Sequence, residues 1–431
     1  MSENQARNPQ RPGRLQAPPP ALLSAGEPFE GFSILGEWTG REAVVLWQLL
    51  RDAQLWAGAP ESPGRLFDAG TYHATVAELS RSDLEDALKT PLLVLAAVLT
   101  EESHVSQEEL ASACRTISAW SSANERPQTS IAFAQAAAIV HPADPDHAYA
   151  TGLLCRRNAE YNRAETWFRR SLTLARRSKN FQTLGLSWIG LGNLFIQRGN
   201  YDAARIALAK ALRIARRRGY WRVKAMALHD LFAIAVELRQ VEEAERLARQ
   251  AFRAYSPADP QLPALAHDVA GFWMQQGHYE RALLVYTAVL RLIKRPTERL
   301  VALSTFARAA AGAGDLKKFT DAWIEVWKVV DQNPNADCAC AALLNLAYGA
   351  AILRDWERVD LTAKEALERA CKRGEAEVQV QAEALLRAVR EQTVSVSLLQ
   401  PATEPKVVER ADALARAMAR RLTARAGKGK G

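Results

Sequence analysis

The sequence predicts an all-α protein, a solenoid of stacked helix hairpins whose N-terminal end is covered by further helices. Three observations predict it. Residues 185–218, GLSWIGLGNLFIQRGNYDAARIALAKALRIARRR, hold two helical apolar patterns separated by a break. That break recurs along most of the chain at near-constant intervals. A single hairpin cannot cover its own apolar face, so neighbouring hairpins must stack to bury it.

Within the best-defined hairpin, Trp188, Leu191 and Phe195 fall three and four residues apart on one face. Gly192 leaves that face without a side chain where a second helix approaches closely. Gly199-Asn200 ends the first helix. After Tyr201, the small residues Ala204 and Ala211 flank Leu208, so the second helix offers a shallow surface for docking. With Tyr201 as anchor, equivalent turn positions fall at Pro127, Tyr161, Val241, Tyr279, Leu316 and Trp356, which makes about seven repeats. The copy at Tyr161 keeps Gly152, Ala164, Phe168 and Ser171, and the copy at Tyr279 keeps Gly277, Ala282 and Tyr286 but has Ala270 in place of the packing glycine.

Trp188, Leu191, Gly192, Phe195, Gly199, Tyr201, Ala204 and Ala211 stand at the spacings of the tetratricopeptide repeat, which this stretch resembles. The resemblance spans residues 111–391 and implies a right-handed superhelical solenoid. Its intervals, near 40 residues, resemble the long-period variant of bacterial signalling and regulatory proteins.

The flanks read differently. Residues 1–26 are proline-rich with almost no aliphatic side chains, and are expected to be a disordered arm. Residues 27–110 form an acidic helical region. In it TGRE (39–42) and SDLE (82–85) are expected as helix caps, APESPG (59–64) as a loop, and Pro91 to Thr100 as a buried helix. Residues 392–405 read as a linker. Residues 406–431 read as a basic amphipathic helix with a flexible tail, on Val407, Ala411, Leu414, Met418 and Leu422. It would either cap the last repeat or meet nucleic acid or an anionic membrane.

Composition narrows the function classes. The 48% hydrophobic content suffices for a large core, and no run of apolar residues reaches membrane-spanning length. No export signal is recognisable, so a cytoplasmic setting is expected. Cys114, Cys155, Cys338, Cys340 and Cys371 are few and odd in number, and are expected to be buried thiols rather than a disulfide framework.

Charge is unevenly placed. Residues 27–110 carry five basic and fifteen acidic side chains, whereas residues 156–224 carry seventeen basic and three acidic. The basic set includes Arg169, Arg170, Arg176, Arg177 and Lys179, then Lys210, Arg213, Arg216, Arg217 and Arg218, on second helices or the loops after them. The resemblance puts those helices on the convex side. An acidic partner, the chain's own acidic region or nucleic acid could answer this patch.

The resemblance also places Tyr149, Leu153, Arg156, Arg157, Ile189, Asn193, Ile196, Met226, His229, Val236, His267, Met274 and Arg308 on a concave groove. This is a mostly apolar surface suited to a peptide segment. Asn193 matches the asparagine that many such repeats use to hold a peptide backbone or carboxylate. Tyr149, Ile189 and His229 occupy positions where a carboxylate-clamp lysine would be expected, which argues against a chaperone-tail receptor.

Catalytic patterns are weak. HPADPDH (141–147) gathers His141, Asp144, Asp146 and His147, yet it coincides with a turn where proline and aspartate cap helices. Cys338-Ala-Cys340 lacks a second cysteine pair, and GAGDLKK (312–318) lacks a preceding strand. No metal, cofactor or catalytic residue is therefore assigned. The expected function is a non-enzymatic scaffold or adaptor holding a peptide segment in its groove. The alternatives are a peptide- or ligand-sensing regulator acting on transcription through a partner, and, third, nucleic-acid binding through residues 156–224.

Overall fold

The seven turns inside the hairpins are built alike. In each, one residue adopts a positive φ two positions before the next helix begins: Glu125, Ala159, Gly199, Arg239, Gly277, Gly314 and Arg354. At all of them but Glu125 the backbone repeats the same two bonds. Gly199 N–H reaches Ile196 O at 2.9 Å and Asn200 N–H reaches Phe195 O at 2.8 Å, just as Arg354 and Asp355 reach Ala351 and Ala350 at 3.0 Å each. This is the Schellman closure, which satisfies the last carbonyls of one helix and aims the chain into the next. Glycine takes the left-handed conformation without strain. Four of the seven turns keep the geometry without it.

The computed structural model describes residues 17–18, 32–58, 67, 70–100, 105–293, 296–333, 336, 338–392 and 405–428. Among these there are helices and turns but no strand. No helix of the described residues is long and apolar enough to cross a membrane. Apart from Ala17 and Pro18, the proline-rich arm lies outside the described residues, as do the loop 59–64, the linker at 393–404 and the last residues, 429–431.

The chain forms two compact units, Met1–Asp230 and Leu231–Gly431. The first holds α1 (Ile34–Glu37), α2 (Gly40–Gly58), α3 (Thr71–Arg81) and α4 (Asp86–Ala96), then α5 (Gln107–Ala123), α6 (Pro127–Val140), α7 (Pro145–Arg157), α8 (Tyr161–Arg177), α9 (Phe181–Gln197) and α10 (Tyr201–Arg218). The helix α11 (Trp221–Glu237) crosses the division. The second unit holds α12 (Val241–Ala254), α13 (Leu262–Gln275), α14 (Tyr279–Leu290), α15 (Pro296–Gly312), α16 (Leu316–Gln332), α17 (Ala339–Ile352), α18 (Trp356–Arg373), α19 (Ala376–Glu391) and α20 (Pro405–Lys428). All seven turn residues read from the sequence are the first residues of helices, namely α6, α8, α10, α12, α14, α16 and α18.

Side-chain caps begin several helices. Asn180, Asn200, Asp315 and Asp355 accept from the backbone three residues on, at 3.0–3.1 Å. Pairs close tightly where a glycine removes the Cβ: a Cβ on Gly192 would stand 2.9 Å from Leu208.

In the first unit, α1 to α6 share one apolar core, from Ile34 to Val140. The first hairpin and the acidic region are thus built together. Glu37 substitutes for the missing cap of α6: its carboxylate accepts from Gln128 N–H at 2.7 Å and Thr129 N–H at 2.8 Å. Arg126 stacks over the Trp38 ring at 3.8 Å and donates to Glu37 O. The expected cap at SDLE does not form, because Ser82 Oγ turns back to Leu79 O at 2.7 Å and α4 begins beyond it, with Pro91 inside the helix. A capping box stands instead at Ser106 and Glu109, opening α5.

In the second unit, α20 folds back onto α14 and touches α12 rather than covering the last hairpin. Its stripe of Ala411, Leu414, Ala415, Met418 and Leu422 is buried. Arg281 of α14 donates from Nε to Asp412 at 2.6 Å, and Arg421 donates to Phe252 O at 2.9 Å and Tyr255 O at 3.3 Å. The apolar stripe the sequence showed is therefore satisfied within the fold. All five cysteines are free thiols. Cys114 and Cys155 are buried, which pushes their pKa up to about 12 and keeps them unreactive; contrary to expectation, Cys371 is exposed and Cys338 half-buried.

Candidate functional site

Each unit carries a half-buried arginine on the first helix of one of its pairs. In the first unit, Arg156 stands on α7. Burial lowers its pKa, and the carboxylate of Asp230 on α11 works in the opposite direction. Tyr149 lies beside it, its own pKa raised by burial, with its ring 6.0 Å from Phe168. This pocket of charge contains its own counter-ion.

In the second unit, Arg308 stands on α15. Its guanidinium lies 4.6 Å from the centre of the Tyr348 ring, and Nη1 reaches Asn345 Oδ1 on α17 at a long 3.4 Å. Nε is buried and has no hydrogen-bond partner among the described residues. Burial lowers its pKa, offset only by the hydroxyls of Tyr279, Tyr348 and Tyr286. No carboxylate pairs with it among the described residues. Close by, His267 on α13 packs edge-on to Tyr286 at 5.3 Å between centroids, with Nε2 3.5 Å from Thr305 Oγ1 and Nδ1 3.3 Å from Asp268. The arrangement is a cation in an aromatic and amide surround, suited to receive an anion.

Other residues of the expected groove divide between surface and packing. Leu153, Asn193, Ile196, Met226, His229 and Val236 are half-buried and Arg157 is exposed. Ile189 and Met274 are buried, with 1% and 6% exposure, and offer a partner nothing.

The basic set also divides. Arg170 is buried: its Nη1 donates to Pro18 O at 2.7 Å and its Nη2 to Pro142 O at 3.2 Å, so it belongs to the fold rather than to a solvated face. Arg169 pairs with Glu165 at 2.7 Å. Lys210 and Arg176 lie over Trp188 at 4.2 and 5.9 Å, and Arg218 lies over Phe181 at 3.9 Å. Arg177, Arg213, Arg216 and Arg217 are exposed and make no ion pair among the described residues. Those in the last turns of α8 and α10 also complement the helix dipoles. The described part of the acidic region packs against α5 and α6.

Sequence reasoning missed a cleft of about 520 Å³ between α12 and α20, lined by Arg246, Arg249, Arg253 and Arg410 over Phe252, Ala413, Leu414 and Ala417. Only the docking of α20 creates it.

Residues 186–218 match the family profile described as the tetratricopeptide repeat. Those residues are α9 and α10 with their left-handed turn, and the same turn and pairing recur in six other places. Residues 186–218 are a tetratricopeptide-type repeat. The search of curated protein sequences returns no match. Among solved structures, the chain is similar to BtubC (BKLC) from P. vanneervenii, at 15% identity over 54% of this chain and 93% of that one, with a TM-score of 0.40. It is similar to the TPR2AB domain of yeast Sti1 in complex with pHSP90, at 16% identity over 64% and 99%, TM-score 0.27. It is also similar to the Rap conjugation gene regulator of plasmid pLS20 in complex with the Phr* peptide, at 11% identity over 80% and 97%, TM-score 0.38. The tetratricopeptide assignment rests on the profile and the repeated hairpin rather than on these superpositions.

Proposed function

We propose that the protein is a non-enzymatic scaffold that holds a peptide segment on the face formed by its first helices, with Arg308 taking an anionic group of that segment. The observation that carries this is the isolation of Arg308. Arg308 is half-buried, its Nε is bare and no carboxylate faces it among the described residues, which favours a ligand anion completing it. Asn345 and the ring of Tyr348 supply the amide and aromatic contacts that would position an acidic side chain or a terminal carboxylate. Selection of the full chain against a displayed random peptide library tests it. Enriched peptides should carry an acidic group and should lose binding to Arg308→Met. Peptides that bind Arg308→Met as tightly as the parent would refute the assignment.

A second surface has its own support. Arg177, Arg213, Arg216 and Arg217 are exposed without ion pairs among the described residues, which favours contact with an acidic partner protein on the second-helix side. Such binding should weaken steeply with salt, whereas docking on the first-helix face should respond less. Nuclease treatment separates nucleic acid from an acidic protein as the source of that charge.

A further inference from the structure

We infer that His141, Asp144 and His147 bind a divalent transition-metal ion of the zinc class. The three residues belong to one turn: His141 follows the last residue of α6, Asp144 is the N-cap of α7, and His147 lies in its first turn. Their ligand atoms all lie within 4.8 Å of one another.

Asp144 divides its carboxylate between two tasks. Oδ1 accepts from Asp146 N–H at 2.8 Å and caps α7, while Oδ2 faces His147 Nε2 at 3.4 Å. Donors around a tetrahedral zinc, each bonded at roughly 2.0–2.1 Å, stand roughly 3.3–3.4 Å apart. That edge of the site is already at length. The remaining contraction falls on His141, half-buried at a helix end, whose ring centroid is 5.7 Å from that of His147. His141 Nδ1 is buried and has no hydrogen-bond partner among the described residues, so a metal bond would satisfy an atom the fold leaves bare.

The charge balance admits a cation. Asp144 and Asp146 oppose Arg115, which is exposed on α5, and Arg170 is occupied by the carbonyls of Pro18 and Pro142. Two imidazoles and one carboxylate suit zinc, cobalt(II) or nickel(II) better than calcium or magnesium, which prefer all-oxygen sites. Three protein donors leave a fourth position for water. The bound ion would tie the end of α6 to the start of α7, at the first joint between successive hairpins.

The test titrates chelator-treated full-length chain with cobalt(II) chloride, then with zinc. One equivalent of cobalt should give visible d–d bands without a sulfur-to-metal charge-transfer band, and zinc should displace it. Asp144→Asn keeps the helix cap, because asparagine caps as well as aspartate, yet removes the charged ligand. It should abolish the bands while leaving the melting temperature of the metal-free chain unchanged, and His141→Ala should abolish them too. A parent chain without bands, bands retained in both variants, or a thiolate band from a cysteine site would each overturn the assignment.

Discussion

Arg156 in the first unit and Arg308 in the second are half-buried guanidiniums on first helices of their pairs, and burial lowers the pKa of both. They differ in what answers the charge. Asp230 offsets Arg156, whereas Arg308 has only tyrosine hydroxyls and one distant amide oxygen. Arg281, which is buried, shows the fold supplying a counter-ion from far along the chain, through Asp412 of α20. The difference teaches where the proposed ligand would act: Arg156 is offset within its own unit, whereas Arg308 leaves an anion position open.

The comparison can be broken most forcefully at Arg308. Arg308→Met should weaken a selected acidic peptide by roughly thirtyfold or more, since truncating one partner of a desolvated charge pair costs ~2 kcal/mol or more. Binding isotherms of the two proteins check this. Next comes Asp412→Ala, which strips Arg281 of its α20 partner. The side chain of Asp412 is 40% exposed and the buried Glu245 remains nearby, so the loss is discounted to about 1–2 kcal/mol, below that of a fully buried pair. Thermal unfolding would show it.

Asn345→Asp sharpens the comparison from the other side. It places a carboxylate 3.4 Å from Arg308 and should raise stability by ~1 kcal/mol while excluding an acidic peptide. Tighter peptide binding by this variant would contradict the account.

The smallest effect concerns pH. Burial, reinforced by Arg281, lowers the pKa of His278, against the pull of Asp412. The unfolded chain therefore takes up a proton at this position before the folded one does. Stability from this group is complete above the ordinary histidine value near 6.5 and is lost as pH falls below it. His278→Gln should flatten that part of the acid limb, read as melting temperature against pH.

Helix starts were legible because turn chemistry is local. Tyr161, Tyr201 and Trp356 announce second helices by their spacing, and the turn before each closes through the same backbone bonds even where Ala159 or Arg354 stands in for glycine. Side-chain placement was less legible. Ile189 and Arg170 sat at positions expected to face a peptide and solvent, but helix-to-helix distance and the carbonyls of Pro18 and Pro142 decide their burial. The berth of α20 was hidden as well. Its apolar stripe shows that it must pack, but not that Arg281 and the carbonyls at Phe252 and Tyr255 receive it. Arg308 could be placed on the face from its repeat position; its lack of a carboxylate emerges only when neighbouring helices are in place.

The central claim, that Arg308 is an uncompensated charge kept for a partner, is tested most directly without any partner present. Thermal unfolding of the parent and of Arg308→Met, both ligand-free, should show the variant to be as stable or more stable, because an apolar side chain of similar length replaces an unanswered cation. A clear loss of stability in Arg308→Met would mean that the fold already satisfies this guanidinium, and the peptide-anion assignment would fall with it.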